Sequence, residues 1–167
     1  MINTKFKKNK LYFLAFSLFL FFYLTFLSAP IPGNALEGDL TWVYQIGGSS
    51  VDQVNDVVVD SSGNVYSVGI FSGANVDFNP GASAYNLSSA GSDDVFVSKV
   101  DSNKNFLWAH RIGNASSNVG YSINLDSSNN IYITGTFSDT VDFDPDAVDT
   151  YNLISSGGND MFILKLD

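Results

Sequence analysis

The chain has no cysteine, a single histidine, four prolines and one glutamate, Glu37. Without cysteine there is neither a disulfide nor a thiolate nucleophile, so the fold must be held by core burial, by metal or by partners. His110 is the only imidazole, which excludes Cys–His chemistry and a two-histidine metal site. A Ser–His–Asp triad is arithmetically possible, but no G-x-S-x-G stretch frames a serine. His110, beside Arg111, therefore reads as a lone surface histidine. The lack of glutamate also carries information. Asp favours turns where Glu favours helices, so the acidic charge belongs to loops. No helical period appears after residue 35.

Positive charge is scarce beyond Ala35, where only Lys99, Lys104, Arg111 and Lys165 stand against all 17 acidic residues. Nucleic acid needs a basic footprint, and that partner is excluded. The acidity suits divalent cations or plain solubility.

What the chain does have begins with lysines. Lys5, Lys7, Lys8 and Lys10 precede an apolar run from Leu11 to Leu27, followed by Pro30, Pro32 and Gly33-Asn34-Ala35. This is the layout of a signal peptide cut after Ala35. The competing reading is a retained anchor, because residues 11–31 approach the roughly 20 residues that span a bilayer. Both carry residues 36–167 across the membrane, with the lysines left on the cytoplasmic side. The membrane is then touched through residues 11–31 alone, and only if they stay uncut.

Most of the remainder is said twice. Trp42, Ile46, Asp60, Tyr66, Gly69 and Phe71 recur as Trp108, Ile112, Asp126, Tyr132, Gly135 and Phe137, each 66 residues later. The spacing slips to 65 at Val76/Val141 and returns to 66 by Tyr85/Tyr151. It then holds through Asp94/Asp160, Phe96/Phe162 and Lys99/Lys165. Each unit reads as strands. VNDVVVD, SSGN and VYSVGIF make a hairpin, and so do YSINLD, SSNN and IYITGTF. DDVFVSKVD and DMFILKLD supply a third strand and NFLWAHRIG a fourth. TWVYQIGG, at 41–48, copies that fourth strand.

Four antiparallel strands recurring at fixed spacing mark a β-propeller blade. A β-sandwich also has many short strands, but it does not demand that one half copy the other. The expected fold is all-β and propeller-like, with about two four-stranded antiparallel blades behind an N-terminal apolar signal or anchor helix. The expected divisions are residues 1–35 as signal or anchor and 36–167 as a partial propeller. Repeat 1 covers about 42–107 and repeat 2 about 108–167.

The patterns W-x-x-x-I-G, V-D-S-S-G-N-V-Y-x-x-G-x-F, V-D-F-[DN]-P and D-x-F-[VI]-x-K-[VL]-D resemble the SBBP-type β-propeller repeat. That resemblance implies a large exported or cell-surface bacterial protein, defined by architecture, with no shared catalytic residue to carry over. Such proteins have many copies, whereas two blades fall short of the four to eight of a ring. The chain is thus expected to be an N-terminal piece of a longer protein or a truncated frame. The alternative is a short protein that completes its ring by oligomerising.

Two stretches carry candidate chemistry. In VDFDPDAVDTYNL, Asp142, Asp144 and Asp146 alternate as hard oxygen ligands for calcium would. The first copy, VDFNPGASAYNL, offers Asp77, Asn79 and Gly81, a poorer set. The competing reading is a proline-stiffened turn whose Asp and Asn bond local backbone N–H groups. The stretches 60–64 and 126–130 read as tight turns, and the repeated aromatics as core. Paired-carboxylate glycosidase chemistry needs two acids held across a cleft, which turn-borne aspartates do not supply. The sequons at Asn86 and Asn114 matter only in a cell that glycosylates.

The function expected is a non-catalytic, exported repeat scaffold that binds a protein or glycan at the cell surface, with no cofactor. The alternatives are an accessory region of a larger exported enzyme and a calcium-stabilised array. Open blade edges also predict self-association.

Overall fold

The computed structural model describes residues 39–146 and 148–167. The chain divides into Met1–Thr41 and Trp42–Asp167, and all the regular structure described lies in the second unit. The signal or anchor segment expected over residues 1–35, with its helix, lies outside the described residues.

Alternating β-branched and polar residues around short Asp-Ser turns produce the first sheet. Strands β1 (Asp52–Val59) and β2 (Val65–Phe71) form a hairpin. A two-residue hairpin, β3 (Val76–Asp77) with β4 (Asn86–Leu87), then leaves the sheet before β5 (Asp94–Val100) and β6 (Phe106–Ile112) complete it. The order is β1-β2-β5-β6, antiparallel throughout.

The second copy repeats the plan. Strands β7 (Val119–Leu125), β8 (Ile131–Phe137) and β11 (Asp160–Leu166) make a sheet in the order β7-β8-β11. The side hairpin β9 (Thr140–Asp142) with β10 (Asn152–Ile154) lies between β8 and β11 in sequence. Both inner strands carry a bulge at the same repeat position, between Val54 and Asp56 and between Gly120 and Ser122. The facing residues are Gly69 and Gly135. A Cβ on either would run into the carbonyl oxygen of Gln53 or Val119, so the bulge requires glycine.

Two expectations need correction. The second sheet has three strands among the described residues, not four. The segment expected to copy the fourth strand, 41–48, is not a strand, and only Gly47 makes a lone bridge, to Asp77. The reason is pairing. Its counterpart β6 is held by hydrogen bonds to β5, whereas residues 41–46 pair with no described strand.

The core is largely the meeting of the two sheets. Val58, Tyr66, Val68, Val95, Val97, Trp108 and Ile112 of the first pack in one cluster with Ile123, Ile131, Ile133, Phe143 and Phe162 of the second. A smaller cluster of Phe71, Val76, Phe78, Phe96 and Ala109 also holds Ile46. The repeated V-D-F now has a structural meaning. Phe78 fits between Phe71 and Phe96, its ring 5.2 Å from each. Phe143 does the same at 5.2 Å from Phe137 and 4.9 Å from Phe162. Each phenylalanine pins its side hairpin to the blade, worth about 1.5–3 kcal/mol of burial apiece.

Candidate functional site

The carboxylates of the side hairpins are engaged by their own backbone. Asp142 Oδ1 accepts from the N–H of Asp144 at 3.1 Å and of Tyr151 at 2.8 Å. Asp144 Oδ1 accepts from Asp146 N–H at 2.9 Å, and Asp146 Oδ1 from Val148 N–H at 2.8 Å. In the first copy Asp77 Oδ1 takes Asn79 N–H and Tyr85 N–H, both at 2.9 Å, and Asn79 Oδ1 takes Gly81 N–H at 2.8 Å. The three calcium candidates thus form a ladder of Asx turns, each closing the next step of the chain. Among the described residues no three acidic, histidine or cysteine side chains converge as a metal cluster would require.

The turns at 60–64 and 126–130 share one geometry. Asp60 Oδ1 accepts from Ser62 and Asn64 N–H, while Oδ2 accepts from the Asn64 amide at 2.7 Å. Asp126 does the same with Ser128 and Asn130. Sequence reasoning missed a third instance. Asp101 binds Asn103 and Asn105 identically, closing the β5–β6 turn. The signal was present as D-x-x-x-N at all three places. These hydrogen bonds, the Asn side chain first, hold all three carboxyls below the ordinary aspartate value.

Asp94, the first residue of β5, is fully buried. Its Oδ2 accepts from Ala90 N–H at 2.7 Å and from Arg111 Nη1 at 2.9 Å. Burial pushes the carboxyl up, opposed by the Ala90 N–H and by Arg111. Buried Asn118, which leads into β7, donates its side-chain amide to Asn114 Oδ1 and the Ser116 carbonyl. Its backbone N–H reaches the Asp93 carbonyl at 2.8 Å. A second tie joins the inner strands. Asp56 Oδ2 accepts from Ser122 Oγ at 2.7 Å and Ile123 N–H at 3.0 Å, and Asn55 donates to the Gly120 carbonyl at 2.7 Å. Those bonds, Ser122 foremost, lower the Asp56 carboxyl.

His110, expected at the surface, is half-buried and stacks on Trp108 with ring centroids 5.3 Å apart. Burial lowers its imidazole. Its neighbour Arg111, exposed, is bound to Asp94. Trp108 and His110 form one wall of a groove of about 870 Å³. Its other walls are the β11 edge and the β9–β10 hairpin, including Asp144 and Asp146 but not Asp142. The groove offers shape, apolar surface and polar side chains at its rim.

Comparison with known proteins agrees with this architecture. The model of the SBBP beta-propeller repeat matches residues 41–69 and 107–136, in each copy the Trp segment and the hairpin that follows. An uncharacterized WD repeat-containing protein of Acanthamoeba polyphaga mimivirus is 27% identical over 130 residues, covering 70% of this chain. The match spans only 9% of that relative. No solved structure matches the chain. The chain thus carries two successive matches to the SBBP beta-propeller repeat, set in an all-β arrangement of antiparallel sheets.

Proposed function

We propose that this chain is an exported, non-catalytic scaffold of propeller blades, displayed at a bacterial surface or secreted, which binds a protein or glycan through its loops. One observation carries the reading. The carboxylates that sequence alone offered for chemistry, Asp142, Asp144 and Asp146, are engaged in backbone turns of the repeat. Spending these side chains on local geometry is the pattern of a framework. The lysine-led apolar segment supports export.

The test uses the full chain in a bacterial host. Intact cells are treated with protease, and survival of the repeat region is followed by antibody alongside release into the medium. Cleavage in intact cells, or appearance in the medium, is the expected result. Protection until the cells are lysed would sink the export reading. Glycan-array and surface-protein binding by the exported material would then identify the class of ligand.

A further inference from the structure

The proline of each side hairpin follows a residue whose side chain can turn on its own peptide bond. The pairs are Asn79-Pro80 and Asp144-Pro145, and the second is the only Asp–Pro step in the sequence. A prolyl nitrogen is a tertiary amide without a hydrogen. It is more basic than an ordinary amide nitrogen and leaves more readily once protonated. An aspartate just before it carries a carboxylate within five-membered-ring reach of the carbonyl carbon of that same bond.

The structure holds Asp144 on both sides. Its N–H is bonded to Asp142 Oδ1 at 3.1 Å, and its Oδ1 accepts from Asp146 N–H at 2.9 Å. The second bond closes a ring that contains the Asp144–Pro145 peptide, so the carboxyl is held beside the bond it precedes. Because Oδ1 is the bonded oxygen, Oδ2 is unengaged among the described residues. Phe143 is buried directly before this turn, while Asp146 directly after it is exposed. One end is anchored in the core and the other is open to water.

We propose that the Asp144–Pro145 peptide bond is a self-cleavage site, cut in mild acid by the carboxylate of Asp144, and that the cut opens the loop without separating the strands on either side. Oδ2 bonds to the main-chain carbonyl carbon of Asp144 as the bond from that carbon to the Pro145 nitrogen breaks. The nitrogen takes a proton from solvent and leaves as a secondary amine. Residue 144 is then a cyclic anhydride, which one water molecule opens to an aspartate with a free α-carboxyl. The net reaction consumes one water and needs no other reactant. Fixing the nucleophile against its target is what makes such an intramolecular step fast. The titratable groups around it are Asp142, Asp146 and Asp149 on its own hairpin, with His110 of β6, Lys165 of β11 and Asp167 on the walls of the groove that Asp144 lines. The hairpin acids favour the positive charge that develops on the leaving nitrogen.

The first copy is a control built into the chain. Asn79 Oδ1 accepts from Gly81 N–H at 2.8 Å, the same turn, but its remaining side-chain atom is an amide nitrogen, a poor nucleophile in acid. After the cut the two pieces stay joined. Asn152, Leu153 and Ile154 pair with Asp142, Val141 and Thr140, and β11 pairs with β8 along its whole length. Phe143 keeps its place beside Phe137 and Phe162.

The test needs neither export nor a ligand. The full-length chain in mild detergent is incubated from neutral pH down to the most acidic pH at which its tryptophan fluorescence stays native. Denaturing gels and mass spectrometry follow the products. Fragments ending at Asp144 and beginning at Pro145 are expected, formed faster as pH falls and co-eluting on gel filtration, with the Asn79–Pro80 bond intact. Asp144→Glu, which moves the carboxylate by one methylene, and Pro145→Ala, which restores an ordinary amide, should each slow the cut at least several-fold. The parent chain unfolded in urea at the same pH should also cut several-fold more slowly, because the turn is gone. No fragment at this bond, equal rates in both variants, equal rates in urea, or an equal cut at Asn79–Pro80 overturns the proposal. Fragments that separate on filtration overturn its second half.

Discussion

Replacing Arg111 by glutamine tests the buried acid at the junction. Asp94 is fully enclosed, and Arg111 is the cation bonded to it, at 2.9 Å. Deleting one partner of a buried pair leaves an uncompensated charge and costs about 3–5 kcal/mol. Arg111 is itself 36% exposed, so solvent screens part of the interaction, and a charged hydrogen bond nearer about 2–3 kcal/mol is the better figure. For a unit of this size that lowers Tm by about 8–12 °C.

The pH dependence separates this account from a simple packing defect. Burial raises the Asp94 carboxyl above its unfolded value even with Arg111 present. A raised acid binds its proton more readily in the folded state. Its stabilising contribution is therefore complete below the unfolded carboxylate value and is lost as pH rises through the folded one. Removing Arg111 raises the carboxyl further. The deficit of Arg111→Gln should be full at neutral pH and shrink as acid protonates Asp94. Adding Asp94→Asn to Arg111→Gln should recover part of the neutral-pH loss, because the orphaned charge is gone. Urea titrations of the two variants and the parent at several pH values measure this. A deficit independent of pH, with no recovery in the double variant, would refute the reasoning.

Three other outcomes are expected. Gly69→Ala and Gly135→Ala should each cost at least about 2 kcal/mol in urea unfolding, since a Cβ meets the partner strand's carbonyl. Gly157→Ala, where nothing lies within 4 Å, carries only the cost of its positive φ of 124° and should be milder. Phe78→Ala and Phe143→Ala should each cost about 3–5 kcal/mol and free the side hairpins to amide exchange, because each ring fills its blade's aromatic trio. On acidification, the depressed carboxyls of Asp60, Asp101 and Asp126 make stability fall as pH drops below the ordinary aspartate range. Changing all three to Asn should flatten that limb of the stability curve.

The features legible in the sequence were those a residue carries locally. The hairpins at 52–71 and 119–137 follow from alternation and Asp-Ser turns, and both appear with the same bulge. The V-D-F motif was visible as a repeat, yet its division of labour was not. Aspartate closes the turn while phenylalanine enters the core, and only packing separates those roles. The Asp94–Arg111 bond was hidden because it joins neighbouring strands 17 residues apart. An acid kept at both Asp94 and Asp160, directly before an apolar strand, was the available hint. The segment 42–46 is the most instructive case. It has the tryptophan and isoleucine of β6, but not its structure. A β-strand is defined by the neighbour that accepts its hydrogen bonds, so segments that share a tryptophan and an isoleucine are strand in one copy and not in the other.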